Sequence, residues 1–330
     1  MNRLLRGIFA AAAVAAAGSA PAERGDYANR SEVRAFISEM TERHGFVERE
    51  LVFLFSRARR QPAVLKAIAP PRDAPLRSWQ VYRARFVNDL RIAQGSEFWR
   101  ANSAVLARAA LEHGVPEEII VAIIGVETLY GRQSGGFRVI DALATLAFDH
   151  PPRAEFFRAE LEQYLLLARD RDIDVFSVKG SYAGAIGIPQ FMPGSYRRFA
   201  VDFDGDGVAD LLASRADAIG SVANFLRMHG WRRGELIALP AQVNGAAHRA
   251  MLDAGVEPKI PIGELRQYGV ETRTGLALAT PVALIDLETP GAPTEYRLGL
   301  QNFYVLTRYN RASFYAAAVT DLAAAIRTAR

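Results

Sequence analysis

The chain has 330 residues, half of them hydrophobic and 23% charged, with a formal charge of +4 and no cysteine. That length supports two or three packed units, or one large domain with insertions, and the composition is that of a globular protein rather than a disordered one. The lack of cysteine excludes disulfides, thiolate metal sites and an acylated N-terminal cysteine, and no dense Lys/Arg patch interleaved with aromatics points to nucleic acid.

In chain order, Arg3 and Arg6 precede an apolar, alanine-rich run from Gly7 to about Ala17, followed by small residues up to Ala22. A basic start, a short apolar core and a small-residue cleavage site read as a secretory signal peptide over residues 1–22, too short to span a bilayer comfortably. The mature protein is therefore expected to be exported, periplasmic and soluble, with no membrane anchor. Without Arg3 and Arg6 the formal charge falls from +4 to about +2, a mild basicity compatible with an anionic polymer.

A helical region is expected over 23–96. Val33, Phe36, Ile37 and Met40 share one face of a helix from about Ser31 to Arg43, which His44-Gly45 closes. A second helix is predicted from Glu48 to Arg59. Pro62, Pro70, Pro71 and Pro75 predict a broken, loop-rich connection. Helical patterning resumes near Trp79 and again from Glu97 to His113.

Pro116-Glu117-Glu118 then opens a helix, because proline suits the first helical position and acids suit the first turn. From Ile119 to Tyr130 this helix is apolar nearly all round, so it should be buried; Glu127 and Thr128 are the exceptions. Burial and the negative end of the helix dipole both disfavour a charged Glu127, which would keep it protonated as a general acid requires. A structural ion pair with Arg132 or Arg138 is the alternative.

A further helix is expected from Arg153 to Arg169. The glycine-rich segment from Gly180 to Gly194 lets backbone approach a ligand, with Ser181 and Gln190 as hydrogen-bonding groups; a plain structural loop is the competing reading. Asp202, Asp204, Asp206 and Gly205 then fit the first half of a calcium-loop pattern, with Asp210 at position nine. Position twelve is Ala213, and Asp217 could replace the missing acid. Carboxylates at alternate positions repel without a cation, which favours an ion over a bare turn. A helix from Asp217 to Met228 ends at His229-Gly230.

Short runs such as Val282–Ile285 and Phe303–Thr307, separated by turn residues, predict strands, and a last helix runs from Phe314 to Arg327. His44, His113 and His229 each precede a glycine and read as helix C-termini; no spacing suits a histidine metal site or a Ser-His-Asp triad.

Several blocks together resemble one family. Gly114-Val115-Pro116, Gly125-Val126-Glu127-Thr128 and Gly131-Arg132 are similar to the catalytic helix of the B-type lytic murein transglycosylases. The similarity continues, in order, through Asp141–Leu146, Arg153–Phe157, Lys179–Ala185, Gln190–Pro193, Asp217–Asn224 and Asn302–Asn310. The resemblance implies a mainly α fold: a lysozyme-like core over 97–234 with an EF-hand-like loop at 202–217, a β-rich insertion over 235–308, and a C-terminal helix over 309–330 that returns to the core.

It also implies that Glu127 is the catalytic residue, that Ser181, Gln190, Tyr309, Asn310, Tyr82 and Tyr315 bind substrate, and that Asp202, Asp204, Asp206, Asp210 and Asp217 hold one structural calcium or sodium ion. No organic cofactor is implied. Phe156 stands where some members carry tyrosine. The implied partners are peptidoglycan glycan strands and, beyond them, cell-wall synthesis or remodelling proteins. The implied reaction cuts the β-1,4 bond between N-acetylmuramic acid and N-acetylglucosamine and leaves a 1,6-anhydro end. A hydrolytic muramidase and a non-catalytic calcium-dependent wall-binding protein are the competing functions.

Overall fold

A computed structural model describes residues 27–69 and 78–330. The expected signal peptide and Pro70, Pro71 and Pro75 therefore lie outside the described residues. Helix α1 (Ser31–His44) buries the four predicted apolar positions and ends where Gly45 adopts φ +68°. After α2 (Glu48–Arg57), Pro62 does not break the chain into a loop: it opens α3 (Pro62–Ile68), since its missing N–H is not needed at a helix start.

Side-chain caps from Ser78 and Asn88 start α4 (Trp79–Phe86) and α5 (Asp89–Ala101). The expected continuous helix up to His113 is broken at Asn102, whose side chain donates to the carbonyl of Phe98, and α6 (Ser103–His113) follows. Next come α7 (Glu117–Thr128), α8 (Val139–Asp149), α9 (Ala154–Asp170), α10 (Pro193–Phe199) and α11 (Arg215–Met228). A small ladder joins β1 (Phe137–Arg138) to β2 (Lys179–Gly180).

The C-terminal third holds an antiparallel sheet. Its strands are β3 (Ala238–Val243), β4 (Ile260–Pro261), β5 (Val270–Glu271), β6 (Pro281–Leu287) and β7 (Glu295–Gly299), in the order β4-β6-β7-β3-β5. A short helix, α12 (Arg249–Asp253), lies between β3 and β4. The apolar run of β6 serves two cores at the period of two that a pleated strand imposes. Ala283, Ile285 and Leu287 face the main helical core, while Val282 and Leu284 join Met251, Leu265, Val270 and Leu298 in a smaller one.

The run expected to be a strand at Phe303–Thr307 is instead helical, inside α13 (Gln301–Tyr309). Phe303, Val305, Leu306 and Thr307 are buried; the more open face of the helix, Gln301, Tyr304 and Arg308, lies mostly outside this run, and a short apolar run fits either structure. The chain closes with α14 (Ser313–Thr328), whose small residues Ala316, Ala317 and Ala318 are fully buried and let it pack closely on α7. Among the described residues, no helix is long and apolar enough to cross a membrane.

Candidate active site

The site is built on the C-terminal end of α7. Ile119 to Val126 are buried on every side, so the helix is locked in the centre of the molecule, and Glu127 emerges in its last turn. The helix stops abruptly. Leu129 and Tyr130 adopt φ +50° and +60°, a left-handed conformation that is disfavoured by about 1–2 kcal/mol for each side-chain-bearing residue.

Several contacts over-determine that turn. The Tyr130 hydroxyl donates to the Arg91 carbonyl at 2.7 Å, and Arg91 Nε donates to the Gly125 carbonyl at 3.2 Å. A Cβ at Gly95 or at Gly125 would lie 2.5 Å from the Tyr130 hydroxyl, so both glycines make room for it. Thr128 Oγ1 donates to the Ile188 carbonyl at 2.8 Å and accepts from the Gly131 amide at 3.0 Å.

Glu127 lies deep among protein atoms but keeps a partly exposed edge. Burial pushes its carboxyl up to about 7; the Tyr315 hydroxyl, donating to Oε1 at 2.7 Å, pulls in the opposite direction. Neither arginine considered as an ion-pair partner takes that part. Arg132 bonds Gln94 and Arg138 pairs with the buried Asp141. Among the described residues, no second carboxylate acts on Glu127 either.

Its surroundings are phenols. Tyr309 and Tyr315 stack with centroids 6.3 Å apart and planes 11° apart. Burial, followed by the charge of Glu127, raises the ionisation of Tyr82, Tyr309 and Tyr315 well above the ordinary phenol range. The Tyr82 hydroxyl and Asn310 Oδ1 are buried without a hydrogen-bond partner among the described residues.

The glycine-rich segment forms a compact double turn with bridges Gly180↔Ile186 and Ile186↔Phe191. Ser181 Oγ accepts from the amides of Ala183 and Ala185, so it fastens the turn and has no hydrogen bond to Glu127. Gln190, at φ +52°, donates through Nε2 to the carbonyls of Ser134 and Gly187. Tyr309 reaches the same segment, donating to the Pro189 carbonyl at 2.6 Å. Phe156 sits 36% exposed under the guanidinium of Arg153.

The aspartate loop is only partly the expected site. Oxygens of Asp202, Asp204 and Asp217 lie within 4.8 Å of one another. Asp206 and Asp210 lie outside that group; their Oδ1 atoms accept from the amides of Val208 and of Leu212 and Ala213. Asp217 is fully buried in the first turn of α11 and accepts from the amides of Phe203, Asp204 and Asp210. Three close carboxylates, all hard oxygen donors, fit a cation such as calcium. The Ile188 amide donates to the Leu211 carbonyl at 2.8 Å, which ties this loop to the active-site segment.

Sequence reasoning did not find Arg91, Tyr130 or Ser134. The signal for Tyr130 was present, as two glycines inside helices, Gly95 and Gly125. Arg91 acts on distant backbone and leaves no local mark.

Comparison with known proteins places this geometry in context. Residues 28–324 match the family model described as the transglycosylase SLT domain. The chain is 43% identical over 315 residues to the membrane-bound lytic murein transglycosylase B of Escherichia coli, covering 93% of this chain and 85% of that protein. It is similar to the crystal structure of soluble lytic transglycosylase SltB1 from Pseudomonas aeruginosa, at 47% identity and a TM-score of 0.84, covering 91% of this chain and 99% of that one. The Escherichia coli lytic transglycosylase Slt35 in complex with calcium matches at 40% identity and a TM-score of 0.82, over 94% and 96% of the two chains.

Proposed function

The chain belongs to the SLT transglycosylase family and is a peptidoglycan lytic transglycosylase, and from that premise we propose that Glu127 alone serves as acid and then base. The observation that carries this reading is a buried carboxyl held up to about 7, with no second carboxylate among the described residues acting on it. Most glycosidases place two acids across the scissile bond. A single acid fits a reaction in which the substrate supplies the second group.

In the first step the Glu127 proton passes to the oxygen joining C1 of N-acetylmuramic acid to N-acetylglucosamine. The C1–O bond breaks, and the acetamide oxygen of the muramic acid closes on C1. In the second step the Glu127 carboxylate takes the proton of the C6 hydroxyl. The C6 oxygen bonds C1 and displaces the acetamide, so a 1,6-anhydro ring forms and no water is added. Glu127 ends protonated, ready for another cycle.

In this reading Tyr82 and Asn310 direct their unpartnered polar atoms to the sugar, while Tyr309 and Tyr315 wall the cleft. Ser181 and Gln190 shape the loop against which the glycan lies. Asp202, Asp204 and Asp217 hold a structural calcium, which neutralises the loop and, through Leu211 and Ile188, steadies the active-site segment. The substrate lies outside the cytoplasmic membrane, so the reading includes export.

The test is mass spectrometry of soluble fragments from purified peptidoglycan. Ends lighter by one water than reducing muramic acid support the proposal. Reducing ends make the protein a hydrolase, and binding without release makes it a wall-binding protein.

A further inference from the structure

On the side of the cleft wall away from Glu127, charged groups from three elements meet at one carboxylate. Asp321 of α14 accepts from Arg83 Nε of α4 at 2.7 Å, and from both terminal nitrogens of Arg297 of β7, at 2.7 and 3.2 Å. Arg297 also bonds Glu295 at 2.6 Å, and Glu295 accepts from the Trp79 indole of α4 at 3.1 Å. The Arg297 guanidinium lies 5.6 Å from the Trp79 ring. Asp321 and Arg297 are only 14% and 15% exposed, so the inner pair is shielded from salt.

The network's position gives it a role. Arg83 follows Tyr82 directly, and Trp79, Tyr82 and Phe86 form the inner face of α4. Trp79 and Tyr82 pack edge-on against Phe314 at 5.4 and 5.6 Å, next to the Tyr315 that holds Glu127. Asp321 therefore anchors the same two helices, α4 and α14, whose aromatic residues enclose the acid.

We infer that Asp321 is a positioning residue for the reaction: by holding Arg83 and Arg297 together it keeps α4 seated on α14, and so keeps Tyr82 as the wall that excludes water from Glu127. The groups facing Glu127 are Tyr82 from α4, Tyr309 from α13 and Tyr315 from α14, with Arg91 of α5 on the carbonyl of Gly125 behind it. The three phenols carry no charge, and the Arg91 guanidinium is spent on the Gly125 carbonyl, so none of them replaces the effect of a dry wall on Glu127. Opening the wall admits water, stabilises the carboxylate and leaves less acid available at neutral pH.

The inference rests on Glu127 being the general acid, and its test separates the two claims. The pH dependence of kcat/KM on peptidoglycan fragments is measured for wild type, Asp321→Asn and Arg83→Gln. In the variants the alkaline limb is expected to move down by about half to one pH unit. Activity at pH 7.5 then falls about two- to sixfold further than at pH 5.5. Asp321→Glu, which keeps the charge, is expected to recover part of the shift.

A variant that loses activity equally at every pH, or loses only thermal stability, would make the network purely structural and overturn the inference. If Asp321→Asn does not fold, Arg83→Gln decides by the same criterion, because it removes only the more exposed arm. A wild type with no limb near neutrality would instead overturn the assignment of Glu127.

Discussion

Glu127 and Asp217 are both carboxyls held within the protein at the end of a helix, and they have opposite surroundings. Asp217 sits in the first turn of α11 and accepts from three backbone N–H groups of the preceding loop, those of Phe203, Asp204 and Asp210. Glu127 sits in the last turn of α7, where amides point away, and accepts from one phenol. One side chain is saturated and organises a loop; the other is under-supplied and remains chemically available. The lesson is that the number of donors supplied, rather than burial alone, divides a structural acid from a reactive one.

The strongest way to break this comparison is to remove the reactive acid. Glu127→Gln should lower turnover on peptidoglycan by about a thousandfold, the scale of a lost acid/base. Stability should move the other way. The Glu127 carboxyl is raised from 4.5 to about 7 in the folded state, so the folded protein holds a proton that the unfolded chain releases. Wild-type stability is therefore fully present below pH 4.5 and declines as pH rises to about 7. By linkage the decline approaches about 3 kcal/mol. Urea unfolding at pH 5 and pH 8.5 should show Glu127→Gln gaining on wild type mainly at the higher pH; an equal difference at both would contradict the assigned environment.

Removing the saturated acid should have the reverse profile. Asp217→Ala leaves the amides of Phe203, Asp204 and Asp210 without their acceptor and should cost about 3–5 kcal/mol in urea unfolding. Any effect on the reaction should be indirect, through Leu211 and Ile188. A fully stable variant would show that Asp217 is not the organiser of its loop.

The ion gives a smaller effect. Chelation should lower Tm by about 5 °C if calcium is present at roughly a hundred times its Kd, and added calcium should restore it. Asp204→Asn should abolish that response. Asp206→Asn should leave most of it, since Asp206 lies outside the close group. Equal losses from both variants would mean that the loop closes around the ion differently.

The two acids also differ in how far the sequence revealed them. Glu127 was conspicuous because Ile119 to Val126 offers no polar face, so a lone acid there demanded a reason. The Asp202-Asp204-Asp206 spacing was equally plain, but spacing alone did not show that Asp217 would replace Asp206 in the close group, because that depends on how α11 returns to the loop. Tyr82, Tyr309 and Tyr315 surround Glu127 from three separate helices, and no local pattern marks them; only resemblance to a family named them. The misreading of Phe303–Thr307 has a related cause. Four of its five residues are buried and only Tyr304 is half-buried, so the run is too short to display either period, and tertiary packing decides the structure.

The finest test concerns the one donor that Glu127 does have. The Tyr315 hydroxyl lowers the acid's pKa against the larger effect of burial. Tyr315→Phe removes that donor while keeping the ring that excludes water. The Glu127 pKa should then rise above about 7, and the alkaline limb of kcat/KM should move upward by less than one unit. That is the opposite direction from the shift expected when Asp321 is removed. The rate at the optimum should fall several-fold as the carboxyl loses its fixed orientation. Opposite shifts in the two variants would show that donor supply and water exclusion act on Glu127 separately. A downward shift in both would mean that the Tyr315 hydroxyl acts mainly as part of the wall, and donor number would then no longer account for the contrast with Asp217.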